Sequence, residues 1–476
     1  MPNLSSEGIH FNKRINDSLN LFLSGILILL ICVPSLILIT GMGFEGIFDY
    51  RLVVLDIFLF AVIWKSAPAG EIRSLAVKAF FIRHLLLFIL LFANYALGQD
   101  LFLFLDDFSY HEMAKNAAFF EPFLRENPFE GTTLFESAYY YRFLEITYRI
   151  AGPNTLTGRL INIFLAVMIG IISHKITIFH GVIHSLNRMT KYILFFPDLI
   201  LFSIFEFKDI LFTFLCLLII FLCQKAFAFR NKKMVFRMLF FLSMALLVAS
   251  FSNWFRVGVG WLFLFTSFIT IVIPSKLLFK KTTITPTKVI IFTVFVIICL
   301  STINTLVAEP SLGLMDLFFY KIKFYLHYTQ SALQESGGFL RLLAINNPTD
   351  FLKTPLIILF APFTPFNFFA VEKFNLILLG IFRFVSFSIY AGFLFSLFTK
   401  KIKIDYYEII QITVPSLLFL IVLSLTNIGV IRHFVFLAPF LIIMSRHYSN
   451  CFNPYFFLTL GSFVYSLFFT YILFKI

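Results

Sequence analysis

The chain is short of charge. Of its 476 residues only 13% are charged against 60% hydrophobic, and the mean hydropathy is +0.92. A soluble core has no use for that much apolar surface, so a water-soluble domain is excluded and a polytopic membrane protein is expected. Cysteine is scarce as well. The five present (Cys32, Cys216, Cys223, Cys299, Cys451) lie in or beside apolar segments without a CxxC pair, so no metal or redox motif is read from them. Tryptophan numbers 3 against 70 Phe; the Phe are read as lipid-facing and packing residues, not as an aromatic binding stripe. No internal repeat of roughly 20–50 residues is evident, and no soluble domain is appended.

What the chain does have is apolar length. Runs of roughly 17–25 residues can cross the hydrocarbon, and about thirteen candidates recur along the sequence. They are Leu19–Ile39, Leu52–Trp64, Ala79–Leu97, Leu156–Ile178, Tyr192–Phe205, Ile210–Phe229, Met234–Phe251, Val257–Pro274, Lys288–Leu306, Phe374–Phe398, Tyr407–Leu425, Ile431–Met444 and Pro454–Phe474. The first follows Lys13 and Arg14. It is too long for a signal peptide, and Gly41-Met42-Gly43-Phe44-Glu45 is no small-residue cleavage site, so it is read as an uncleaved anchor. The expected fold is all-α and polytopic, with about 11–13 transmembrane helices.

A net charge of +13 invites a nucleic-acid reading, which its distribution excludes. The bases gather in alternate short loops, among them Lys65/Arg73/Lys78, Arg188/Lys191, Arg230/Lys232/Lys233, Lys276/Lys280/Lys281 and Lys400/Lys401/Lys403. That alternation follows the positive-inside rule and puts the N-terminus and these loops in the cytoplasm. The chain then divides into N-terminal spans (1–99), a long outer loop (100–152), central spans (153–306), a second outer or re-entrant segment (307–373) and C-terminal spans (374–476).

The outer loop is where acids accumulate. It holds nine (Asp100, Asp106, Asp107, Glu112, Glu121, Glu126, Glu130, Glu136, Glu145) and four bases (Lys115, Arg125, Arg142, Arg149). Tyr110–Ala117 reads as a helix start with Ser109 as N-cap and Glu112 three residues on. Tyr139-Tyr140-Tyr141 with Phe143, Leu144 and Ile146 reads as a second amphipathic helix lying on the bilayer. Other polar residues fall at the same outer level: Asp198 after Pro197; Glu206 and Asp209, which share a face if one helix carries both; Lys208, Arg256 and Arg341; and Arg432 with His433. Asp198 has two readings, an intramembrane functional acid or a partner for backbone freed by Pro197. His180 and His184 have i, i+4 spacing but no third ligand, so no metal site is read there.

Acids and separated cations beside lipid have a chemical logic. A sugar on a lipid phosphate has an anionic leaving group at the membrane surface. Arg or Lys would neutralise its growing charge, and a carboxylate would take the proton of the attacking hydroxyl. The plain reading of the Asp pair is that it caps the loop.

The order of motifs resembles the GT-C superfamily of integral-membrane glycosyltransferases, especially bacterial relatives of protein mannosyltransferases. The resemblance rests on Asp106-Asp107-Phe108-Ser109-Tyr110 with Ala114 after it, then Gly158-Arg159-Leu160-Ile161-Asn162, Pro197 with Lys208-Asp209, Pro362-Phe363-Thr364-Pro365, and Asn427 with Arg432. It covers about residues 79–445 in order, most of the spans counted above. It implies an inverting transfer from a polyprenyl-phosphate sugar on the outer face of a bacterial cytoplasmic membrane. Asp106 is then the favoured general base with Asp107 its partner. Lys208, Arg256, Arg432 and His433 face the donor phosphate, while Tyr110, Arg159, Glu206, Asp209 and Arg341 support the site. The implied partners are the bilayer, the lipid-linked donor and a glycan or lipid acceptor. No cofactor is called for, and nothing in the sequence supports a divalent metal. A polysaccharide polymerase or ligase is the alternative enzyme, and a flippase for lipid-linked oligosaccharides is the alternative from outside catalysis.

Overall fold

A computed structural model describes residues 22–30, 50–98, 105–119, 135–179, 186–253, 255, 259–272, 382, 386, 409–416, 418 and 435–444. The described residues are helical, with short turns and no strand among them. The helices are α1 (22–30), α2 (Tyr50–Ser66), α3 (Glu71–Ala96), α4 (Leu105–Phe119), α5 (Phe135–Ala151), α6 (Thr155–Phe179), α7 (Leu186–Leu194), α8 (Pro197–Ser203), α9 (Lys208–Asn231), α10 (Val235–Asn253), α11 (Val259–Val272) and α12 (Ala438–Met444), with a π turn at Ile409–Thr413. Four of them, α3, α6, α9 and α10, are long and apolar enough to cross a membrane. The runs beyond residue 280 lie largely outside the described residues, as does the second outer segment.

The chain forms two units, each described by itself. The first comprises Met1–Pro128, Tyr141–Val167 and Ser203–Glu206. In it α2 packs on α3, and Phe60 sits among the rings of Phe22, Trp64, Phe80 and Phe81. The second comprises Phe129–Tyr140, Met168–Phe202 and Phe207–Ile476. There α9, α10 and α11 pack on one another, and α12 packs on α7. Phe212, Phe263, Phe436 and Phe440 form its aromatic cluster. The abundant Phe are core residues here and exposed elsewhere, as on α10, where Phe236 is 84% exposed.

Local chemistry explains the helix ends. α5 stops at Gly152, whose φ of +94° suits glycine, with its N–H bonded back to Tyr148 O at 2.8 Å. Pro153 follows, and Asn154 starts α6 by accepting the Leu156 N–H at 2.9 Å. Three sequence expectations need correction. The loop helix begins at Leu105, not after Ser109. It includes the Asp pair, because acids suit the first turn, where the helix dipole is positive. The run 192–205 is not one span. Pro197 lacks an amide proton and opens a new helix, leaving pieces about 14 Å and 10 Å long, far short of about 30 Å of hydrocarbon. Finally, Glu206 and Asp209 share no helix face. Phe207 is extended (φ −107°, ψ 133°) and α9 starts at Lys208, so Glu206 lies before the helix.

Candidate functional site

Four polar side chains converge in the first unit, at the N-terminal end of α6. His111 comes from α4, Tyr148 from α5, Arg159 from α6 and Glu206 from the short segment after α8. None is more than 4% exposed. Tyr148 donates its single hydroxyl proton to Glu206 Oε1 at 2.8 Å. His111 Nδ1 lies 2.7 Å from the same hydroxyl, so the imidazole must carry its proton on Nδ1 and donate to the tyrosine oxygen. The result is a relay of one polarity, imidazole to phenol to carboxylate.

Glu206 Oε2, 3.7 Å from His111 Nδ1, favours an imidazolium. Burial opposes it, and the charges of Arg159 and Lys115 oppose it further, so the His111 pKa is pushed down to about 3. His111 is therefore a neutral hydrogen-bonding group at neutral pH.

The Gly-Arg-x-x-Asn motif acquires a physical meaning here. A Cβ at Gly158 would lie 2.6 Å from Glu206 Oε1 and 2.9 Å from Cδ, so glycine lets the carboxylate rest against α6. One residue on, the Arg159 guanidinium stands over the Phe205 ring, 5.7 Å from its centroid. One turn further, the Asn162 amide donates to Phe205 O at 2.7 Å. Three positions on one helix thus hold residues 205 and 206. On the other side of the relay, Arg149 ties α5 to α4 through Ala117 O at 3.0 Å, while pairing with Glu145 at 2.9 Å.

Sequence reasoning singled out Glu206 and Arg159, and the structure brings both into this cluster. Tyr110 is buried on α4 beside His111. Asp106 and Asp107 occupy the first turn of the same helix, Asp107 one turn before His111. Lys208 and Asp209 open α9 in the second unit and are buried; the Asp209 carbonyl accepts the Thr213 hydroxyl at 2.6 Å. Lys208 thus does not take the usual route of a span-end lysine to the aqueous surface. Asp198 is buried in the first turn of α8, where its N–H donates to Ser386 Oγ at 3.0 Å. Arg256, Arg341, Arg432 and His433, like His180 and His184, lie outside the described residues. Among the described residues no group of three or more His, Cys, Asp or Glu converges as a metal site.

Sequence reasoning missed His111 and Tyr148, and also a second buried cluster in this unit. His84 Nδ1 donates to Phe80 O at 3.0 Å, and Nε2 meets Asp56 Oδ2 at 3.0 Å. The first bond fixes a proton on Nδ1, so the second needs a proton held between imidazole and carboxylate. Next to it, Arg83 donates from Nε to Ser203 Oγ at 3.1 Å and from Nη1 to Ala79 O at 2.9 Å. Ser203 ends α8, three residues before Glu206. The available signal was an Asp and an Arg-His pair inside apolar runs, where ionisable groups are functional suspects by default. No protein-family model, curated protein or solved structure matches the chain.

Proposed function

We propose that the protein is a membrane glycosyltransferase of GT-C type, moving a sugar from a polyprenyl-phosphate donor to an acceptor on the outer face of the cytoplasmic membrane. One observation carries the reading: the loop helix holds Asp106-Asp107 in its first turn, and the buried relay His111–Tyr148–Glu206 anchors its next turn. An acid pair meant only to cap a loop has no need of such an anchor, whereas a general base needs a fixed position.

In this mechanism Asp106 takes the proton of the acceptor hydroxyl as its oxygen attacks the anomeric carbon, with Asp107 as its partner. The bond from that carbon to the phosphate oxygen breaks, its electron pair leaves with the phosphate, and configuration inverts. By the family resemblance, Lys208, Arg256, Arg432 and His433 are the candidates for stabilising the departing charge. Glu206, Arg159 and Tyr110 support the helix that carries the base, and Asp209 and Arg341 are supporting residues by the resemblance alone.

The test is sugar release from a panel of polyprenyl-phosphate sugars by the purified protein, beside Asp106→Asn and Asp107→Asn. Turnover lost in one variant with donor binding kept assigns the base. Absence of turnover with every donor, together with binding or movement of lipid-linked oligosaccharides, sinks the reading in favour of a polymerase or flippase.

A further inference from the structure

The second unit carries a feature that the proposed reaction does not use. Lys175 on α6 and Lys225 on α9 both lie over the ring of Phe221, their Nζ atoms 6.0 Å and 5.4 Å from its centroid. Each is near the C-terminal end of its helix, four and six residues from the last. Two ammonium groups on one ring repel each other, and each feels the negative C-terminal end of its helix only weakly at that depth.

Among the described residues no acid relieves them. The chain contains no carboxylate between Glu145 and Asp198, nor between Asp209 and Glu309. Asp209 lies at the start of α9, about 24 Å along the helix from Lys225. Among the described residues neither lysine makes an ion pair.

A second element adds charge at the same end. α7 buries Leu186, Met189, Thr190, Ile193 and Leu194 and exposes Arg188 and Lys191, a short amphipathic helix with a cationic face. It is fastened to the last turns of α6 by His174 Nδ1 to Thr190 Oγ1 at 2.9 Å and by the Thr177 hydroxyl to Met189 Sδ at 3.4 Å. Gly170 on α6 leaves room for the Leu194 side chain. The turn joining α9 to α10 brings Arg230, Lys232 and Lys233, all exposed. On α10, the exposed Arg237 stands over the Phe229 ring.

We propose that this end of the second unit is a binding site for anionic phospholipid, with the lipid phosphate seated between Lys175 and Lys225. Charge complementarity identifies the occupant, because a phosphate ester gives both lysines a counter-charge that none of the described residues supplies. The apolar side of α10 fits its acyl chains: Phe236, Leu239 and Phe240 are exposed in its first turns, next to the cationic turn. A free phosphate ion satisfies the lysines but leaves this apolar surface unused. The site is independent of the glycosyltransferase reading.

Native mass spectrometry of the full-length protein released from detergent, titrated with phosphatidylglycerol, phosphatidylcholine or inorganic phosphate, tests this. Phosphatidylglycerol binds more tightly than phosphatidylcholine. The double substitution K175Q/K225Q weakens phosphatidylglycerol about thirtyfold, at about one power of five per cation, and leaves phosphatidylcholine unchanged. Lys78→Gln, which removes an exposed cation from α3, changes neither. If the double variant fails to fold, Lys225→Gln alone, at an exposed position, weakens phosphatidylglycerol about fivefold. Equal affinity for the two lipids overturns the proposal, as does undiminished phosphatidylglycerol binding by the variants. Displacement of the lipid by inorganic phosphate at matched concentration also overturns it, by making the site one for free phosphate.

Discussion

Helices α6 and α10 have nearly the same hydropathy, and either would serve as a membrane span. Their surroundings are opposite. In the most apolar stretch of each, 83% of α6 is buried inside the protein against 17% of α10. Apolar content therefore tells that a helix can enter the bilayer, and says nothing of whether protein or lipid will surround it. The few polar positions tell that. α6 carries Gly158, Arg159, Asn162, Ser173 and His174, all buried against other protein groups, and between Arg237 near its start and Asn253 at its end α10 carries only serines among apolar residues. A guanidinium or an amide in a span is tolerated where the protein supplies its partners.

The contrast can be broken by one truncation made twice. Ile169→Ala on α6 opens a cavity at a fully buried position and costs about 3 kcal/mol. Leu247→Ala on α10, where the residue is 62% exposed, stays within about 0.5 kcal/mol. Reversible unfolding in mixed micelles compares them, and equal losses would mean that α10 is packed against protein after all.

Within the α6 neighbourhood, Tyr148→Phe removes the hydroxyl shared by His111 and Glu206 and costs about 2 kcal/mol in the same assay. Gly158→Ala sharpens the point by adding one methyl. It pushes the Glu206 carboxylate off α6 at about 1.5 kcal/mol, with the Tyr148 environment, followed by ultraviolet resonance Raman, shifting in step. A variant as stable as the parent with an unchanged tyrosine signal would show that the close approach is not needed.

One effect is graded with pH, and small within any one pH unit. His111 is held neutral down to about 3 in the folded chain, while its ordinary pKa is 6.5. The unfolded chain therefore binds the extra proton first. Its contribution to stability is whole above 6.5 and is lost as pH falls toward 3, at no more than about 1.4 kcal/mol per pH unit. His111→Gln flattens that part of the profile; an unaltered slope would assign the acid sensitivity to other groups.

The sequence made the long elements legible. Runs at Ala79–Leu97, Leu156–Ile178, Ile210–Phe229 and Met234–Phe251 became α3, α6, α9 and α10 with shifts of a few residues, except that α3 begins a further two turns earlier. Breaks were harder to read. Tyr192–Phe205 looks continuous by composition, and only the missing amide proton of Pro197 divides it. The candidate site was half legible. Glu206 stood out as a charge beside an apolar run, and Arg159 through the Gly158-Arg159-Leu160-Ile161-Asn162 motif. His111 and Tyr148 did not, because their meaning lies in partners 37 and 58 positions away, a separation that carries no local period. Asp56, Arg83 and His84 are visible as ions in apolar runs, but their partners lie 28 and 120 positions away and leave no local signal.

The bond between Arg83 and Ser203 joins residues 120 positions apart, and that number is also a time. At roughly 5–20 residues per second, the ribosome needs roughly 6–24 seconds to travel from one to the other. Until then the guanidinium on α3 has the Ala79 carbonyl of its own helix and no serine hydroxyl. The first unit cannot be completed in the order in which it is made: its early helices wait, half satisfied, for a four-residue segment that is synthesised after most of α6, α7 and α8.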